Sequence, residues 1–237
     1  MNWKEYRAGL RDGLPVGLGY FSVSFGFGAM AVAQGLRVLD AALISATNLT
    51  SAGQFAGLTL IVAAAGLWEM VLTMIVINSR YALMSLALSQ RMGERIGFLP
   101  RLAVAFINTD EIFALAMARK EPLTVPYLLG LGILPILGWT GGTTIGALAG
   151  SILPQSFQAA LGVMLYGMFI AVVVPPAKKE KEILIAVLLA LTLSCLFAWV
   201  PALQSVSAGI SIVICTVAAA ALCAALFPIP EEEEAEA

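Results

Sequence analysis

The residues equipped for chemistry are few, and they sit where charge is costly. Asn78-Ser79-Arg80 follows residues 67–77, apolar apart from Glu69 and Thr73, and precedes residues 81–88, apolar apart from Ser85. A guanidinium keeps its charge, and at bilayer depth it costs roughly 2.5–3.5 kcal/mol on the mildest scale. Such a group is expected to face a partner or a water-filled path. It grips a carboxylate with two parallel hydrogen bonds. The other charged pair, Asp110-Glu111, lies in the apolar run 102–118. A carboxylate there can hold an ammonium or carry a coupling proton.

Two plainer readings stand beside these. Arg80 is eleven residues from both Glu69 and Arg91, roughly 16 Å along a helix. It snorkels to the surface only if the span ends early. Asp110 and Glu111 point about 100° apart on a helix. They cannot both face one partner squarely, and both are simply solvated if their run lies at the interface. Glu69 reads as an interfacial carboxylate near a helix start, where it suits the dipole.

The elements that must hold these groups are membrane helices. The 237-residue chain is 60% hydrophobic and only 12% charged, with mean hydropathy +0.93. A soluble domain carries about 25% charged residues. Composition implies an all-α polytopic membrane protein in a lipid bilayer. About six to eight transmembrane helices are expected, with one or two broken or re-entrant segments. A single transport domain spans 1–229, and the acidic stretch 230–237 reads as a disordered tail. A net charge of −2 gives no sign of nucleic-acid binding. The chain has no His, which excludes His-based zinc and haem sites. Cys195, Cys215 and Cys223 lack ligand spacing and read as packing residues. No cofactor, metal or catalytic residue is implied, and the chain is not expected to be an enzyme.

The first apolar run, 13–36, follows a basic amphipathic lead at 1–12. Ala29-Met30-Ala31 mimics a signal cleavage site, but the many later spans make this run the first span. Gly13 and Gly17 give it a small-xxx-small face for close helix contact. The second run, 41–66, has a polar middle. Seven of the eleven residues from Ser45 to Phe55 are Ser, Thr, Asn, Gln or Gly. A break there frees backbone groups tolerated at depth only beside protein or a water-filled cavity, as in transporter sites. A continuous helix packing small polar residues is the alternative. The run 126–153 holds Pro135 and the patch 138–146, and reads as a kinked or thin-walled helix. Runs 157–174, 183–200 and 203–227 complete the set.

Basic residues cluster at 4–11, 91–101, 119–120 and 178–181. Eight alternating spans from a cytoplasmic N-terminus put 91–101 outside, against the positive-inside rule. If the runs 41–66 and 102–118 fold back, all four clusters share one side and only Arg37 lies on the other. An internal N-terminus with at least one broken or re-entrant run is therefore expected.

Phe25-Gly26-Phe27-Gly28, Ser51-Ala52-Gly53-Gln54-Phe55, Asn78-Ser79-Arg80-Tyr81 and Thr109-Asp110-Glu111 occur in that order. In this order and spacing the chain resembles the AzlC family over roughly residues 7–155. The resemblance implies an inner-membrane exporter of branched-chain amino acids (Leu, Ile and Val, with Met a further candidate) that works with a small hydrophobic AzlD subunit. The family pattern carries His where this chain has Tyr81, which removes that proton carrier. Joined to the residues, the resemblance implies a site. Arg80, or the freed N–H groups near Gly53, takes the substrate carboxylate. Asp110 or Glu111 takes the ammonium or a coupling proton. Phe25 and Phe55 line the apolar pocket. Asn48, Gln54, Asn78 and Asn108 position these groups. Two other classes remain open: a small-solute channel, and a structural subunit whose charges pair with a partner chain.

Overall fold

The computed structural model describes residues 2–92, 96–150, 170 and 173–227. Its helices include α1 (Trp3–Ala33), α2 (Val38–Thr47), α3 (Ser51–Val62), α4 (Leu67–Met92), α5 (Phe98–Ile107), α6 (Asp110–Ala118), α7 (Val125–Gly150), α8 (Lys181–Trp199) and α9 (Ala208–Leu226). Among the described residues, α1, α4, α7, α8 and α9 are long and apolar enough to cross a membrane, while α2, α3 and α5 are shorter apolar helices. The all-α polytopic class stands. Most of the expected run 157–174, residues 93–95 and the tail 230–237 lie outside the described residues.

The chain divides into two compact units. Residues up to 62 with 78–150 form the first; residues 63–77 with 173–227 belong to the second.

The first unit is built on α1 and α7. α1 starts ten residues earlier than its apolar run, because the Asn2 side chain caps Lys4 N–H at 3.2 Å and Glu5 suits the first turn. The basic lead is thus the first part of α1. The two helices run parallel with their backbones in close approach. Gly28 faces Thr143 of α7, and Gly146 faces Phe25 of α1. Nearer the start of both, Gly9 faces Tyr127 and Gly130 faces Tyr6. A side chain at Gly17 would stand 2.8 Å from the Leu134 carbonyl oxygen. The glycine-rich runs are therefore one interface, where the two backbones meet directly at the glycines. The end where α1 begins is called proximal below, and the end where it finishes distal.

Both polar runs fold back. In the first, Ser45 donates to Gln54 Oε1 at 3.1 Å and Gln54 Nε2 donates to the Ile44 carbonyl at 3.3 Å. A helix running straight on would separate residues 45 and 54 by roughly 13 Å of rise. α3 therefore turns back toward the distal end, where Phe55 stacks edge-on against Phe27 at 5.2 Å. In the second run, α5 starts at the proximal end, where Arg101 donates to Ile96 O and to Ser89 Oγ. Its tip reaches Tyr20, halfway along α1, through Thr109 at 2.7 Å. α6 then returns, and Arg119 just beyond it pairs with Glu5 at 2.8 Å. Residues 78–92 of α4 also run toward the proximal end, with Arg91 donating to the carbonyls of Met117 and Arg119.

Two hairpins therefore enter from opposite ends and meet with their tips near mid-depth. The parallel course of α1 and α7 requires an odd number of crossings between them. Both hairpins fold back, so α4 alone supplies it. Lys4, Arg7, Arg11, Arg91, Arg101, Arg119 and Lys120 lie on the proximal side, and Arg37 on the distal side.

In the second unit, α8 and α9 pack as a helical pair. The last run starts at 208, later than the expected 203, because residues 201–206 form turns. Glu69 Oε1 accepts Gly209 N–H at 2.8 Å and so caps α9, whose own Ser207 makes no side-chain cap bond. The three cysteines are free.

Candidate functional site

Each tip uses the same residue pattern. Asn48 ends α2 and Asn108 ends α5, both with extended backbone. A threonine then starts the outgoing helix. Thr50 Oγ1 accepts Gly53 N–H at 3.2 Å, and Thr109 Oγ1 accepts Ile112 N–H at 3.5 Å. These oxygens satisfy donors that a helix start leaves bare. Each tip thus presents the C-terminus of one half-helix and the N-terminus of another at mid-depth.

The first hairpin is closed by neutral groups. Gln54, 1% exposed, accepts from Ser45 and donates to the carbonyls of Ile44 and Asn48. Ser45 continues the chain to Thr143 of α7 at 2.7 Å. All of these side chains are buried.

The second hairpin carries charge. Arg80 pairs with Asp110 at 2.9 Å, each side chain a little under half exposed. Arg80 also donates to the Tyr81 hydroxyl at 3.3 Å, with its guanidinium 5.0 Å from that ring. Glu111 accepts from Tyr20, whose oxygen is also hydrogen-bonded to the Thr109 hydroxyl. Tyr20 in turn rests edge-on against Trp139 at 5.2 Å. The two adjacent carboxylates thus meet different partners, as the 100° offset requires. Both lie in the first turn of α6, where negative charge suits the helix dipole.

Between the tips lies a pocket of about 200 Å³, lined by Thr47, Asn48, Leu49, Thr50, Asn78, Tyr81, Ala105, Phe106 and Asn108. It is below the roughly 300–1,000 Å³ of ordinary small-molecule pockets, and suits a solute of amino-acid size or less. No charged side chain lines it among the described residues. Tyr81 joins it to the ion pair, since its hydroxyl hydrogen-bonds both Thr50 and Arg80.

At the proximal end, Arg119 ties three elements together. It pairs with Glu5 and lies 3.6 Å over the Tyr127 ring. Tyr127 donates to Asp12 at 3.0 Å. This partly buried knot anchors the second hairpin to α1 and α7.

Of the residues singled out in the sequence, Asn48, Asn78 and Asn108 line the pocket. Arg80 and Asp110 stand beside it and hold each other. Gln54 serves the first hairpin. Gly53 packs on Thr50 and Asn78: a side chain there would stand 2.5 Å from Thr50 Cγ2 and 3.3 Å from Asn78 Oδ1. Phe55 is buried against Phe27, and Phe25 is half-buried on the α7 side. Sequence reasoning missed Tyr20, Ser45 and Thr143. Tyr20 sits in an apolar run with no charged neighbour, and its role depends on Glu111, 91 positions away. The Asn-then-Thr pattern at 48–50 and 108–109 was the available signal for two equivalent tips.

A family model described as AzlC protein matches residues 15–153, nearly all of the first unit's described helices. The chain is 29% identical to the inner membrane protein YgaZ of Escherichia coli, over 75% of this chain and 76% of that protein. It is 32% identical to an uncharacterized membrane protein of Archaeoglobus fulgidus, over 73% of this chain and 76% of the relative. A Helicobacter pylori membrane protein is 30% identical over 62% of this chain and 67% of its own length. No solved structure matches.

Proposed function

The chain belongs to the AzlC family of transport-related, multi-pass membrane proteins, and from that premise we propose that it exports branched-chain amino acids across the cell inner membrane. The observation that carries this reading is the meeting of two oppositely inserted hairpins at a pocket of about 200 Å³. Such discontinuous helices place binding groups at mid-depth, and one hairpin moving against the other opens the pocket to alternate sides. Leu49 and Phe106 give the pocket its apolar walls. Arg80, Asp110 and Tyr81 form the charged joint beside it, with Asp110 or Glu111 as the carrier of any coupling proton. The proximal basic clusters make the proximal side, and with it the N-terminus, cytoplasmic. A small hydrophobic AzlD-like subunit is the proposed partner.

The test is flux of labelled valine, leucine, isoleucine and methionine in vesicles, with and without the small partner and a proton gradient. Saturable, counter-transported flux that falls in Arg80→Ala and Asp110→Asn supports the reading. Wild-type export from both variants contradicts it.

One observation favours a second reading. The N-termini of α3 and α6 both lie near the pocket, and opposed half-helix dipoles also serve neutral-solute pores. A channel gives non-saturable flux without counter-transport. A purely structural role fits less well, because Asp110 already holds Arg80 within the chain.

A further inference from the structure

The pocket between the tips has a neutral lining, yet two opposite charges sit within two positions of it. Arg80 precedes the lining residue Tyr81, and Asp110 follows the lining residue Asn108 by two. The pair is also one hydrogen bond from the wall, because the Tyr81 hydroxyl meets both Arg80 and Thr50, another lining residue. Asp110 Oδ2 and the Tyr81 hydroxyl approach the same nitrogen, Arg80 Nη2, at 2.9 and 3.3 Å. Two acceptors thus share one nitrogen of a five-donor fork that suits a carboxylate gripped at two points. Both side chains are open to a ligand, Arg80 at 44% exposed and Asp110 at 45%. Charge facing lipid at this depth is costly, so the open side of the pair belongs to a polar path. The neighbouring carboxylate is engaged elsewhere. Glu111 accepts the Tyr20 hydroxyl of α1, which leaves Asp110 as the anion on Arg80.

We propose that the Arg80–Asp110 pair is the empty form of a zwitterion site. An α-amino acid inserts into it: the carboxylate takes Arg80, the ammonium takes Asp110, and the side chain enters the pocket beside Leu49 and Phe106. The inference deepens the export reading and rests on it for the substrate. It also divides the two carboxylates. Asp110 holds the ammonium, and any coupling proton falls to Glu111. The exchange balances in charge. A neutral pair admits a neutral zwitterion, each ion trades one partner for another, and no proton is needed. An amine or a carboxylate alone does not fit in this way. Either one opens the pair, engages one member and strands the other, which is costly at depth. The class recognised is therefore the zwitterionic α-amino acid, with the pocket limiting its side chain.

The test is calorimetric titration of the full chain in lipid nanodiscs with three probes. They are leucine, 3-methylbutylamine, which is leucine without its carboxylate, and 4-methylpentanoate, which is leucine without its ammonium. The parent is expected to favour leucine over either analogue by about tenfold or more. Two variants are expected to lose leucine and gain the analogue that matches the charge left behind. Asp110→Asn frees Arg80 and is expected to bind 4-methylpentanoate more tightly than the parent does, by about tenfold or more. Arg80→Gln frees Asp110 and is expected to do the same for 3-methylbutylamine. Leucine binding to the parent is expected to take up no proton, read as a heat independent of the buffer. An analogue that equals leucine in the parent overturns the proposal. So does a variant that loses leucine without gaining its analogue, or proton uptake that Asp110→Asn abolishes. If one variant does not fold, the other decides. Reversal of the analogues without leucine flux in vesicles removes export and keeps the site; leucine flux without reversal removes the site and keeps export.

Discussion

The two hairpins share a design and differ in what closes them. Both end their first half at an asparagine and start their second at a threonine. The α2–α3 hairpin is closed by buried neutral hydrogen bonds through Gln54, Ser45 and Thr143. The α5–α6 hairpin is held by a half-exposed ion pair, Arg80 with Asp110, and by the Tyr20 hydroxyl donating to Glu111. Buried neutral networks are costly to open, because every member then loses its partner in a medium without water. A half-exposed ion pair contributes little net stability, yet it responds to protons and charged ligands. The difference assigns a fixed wall to the first hairpin and a responsive one to the second.

The largest expected effect tests the fixed wall. Gln54→Ala strips the carbonyls of Ile44 and Asn48 and the hydroxyl of Ser45 of a shared partner. Thr47 still donates to the Ile44 carbonyl and Thr143 still bonds Ser45, so the Asn48 carbonyl is the group left bare; the loss is predicted at about 1–3 kcal/mol, read by thermal unfolding in detergent. A variant as stable as the parent breaks the comparison. Next is the responsive wall. Arg80→Ala is predicted to cost only about 0–1 kcal/mol of stability, the range for exposed pairs, while lowering export roughly tenfold or more, the equivalent of one charge-assisted hydrogen bond. Equal losses of stability and flux, measured on the same preparation, remove the distinction. Tyr20→Phe keeps the ring on Trp139 and deletes the hydroxyl shared by Thr109 and Glu111. It is predicted to cost about 1 kcal/mol, because Glu111 and Thr109 lose the hydroxyl between them; unchanged unfolding contradicts this. Arg37→Ala gives the smallest effect. Arg37 pairs with Asp40 at 2.7 Å on the distal surface, with its side chain 79% exposed. Unchanged flux and unfolding are expected, and a large loss in either contradicts the assignment of function to the tips.

The sequence showed where the fold breaks more clearly than how. The crowding of Ser, Thr, Asn, Gln and Gly at 45–55 and the adjacent carboxylates at 110–111 both mark backbone that ordinary lipid-facing helix does not explain. The basic clusters singled out the same two runs. The return of each hairpin depends on contacts such as Gln54 with Ile44 and Arg119 with Glu5, 114 positions apart, which no local pattern encodes. The spacing of Gly13 and Gly17 announced a close helix contact, but its partner, α7, begins more than a hundred residues later. Arg80 was legible as a charge in need of a partner, and Asp110 was among the candidates. That the pair closes beside the pocket depends on α4 meeting the second tip, 30 positions further along the chain.

The most direct test of the opposed-hairpin account is sided labelling. With Cys195, Cys215 and Cys223 replaced by alanine, single cysteines are placed at Lys4, Gly35, Gly97 and Lys120 and labelled with a membrane-impermeant maleimide from each side. The account predicts that positions 4, 97 and 120 label from one side and position 35 from the other. Labelling of position 97 from the same side as 35 means that the run 41–66 crosses the membrane or that α4 does not, and contradicts it.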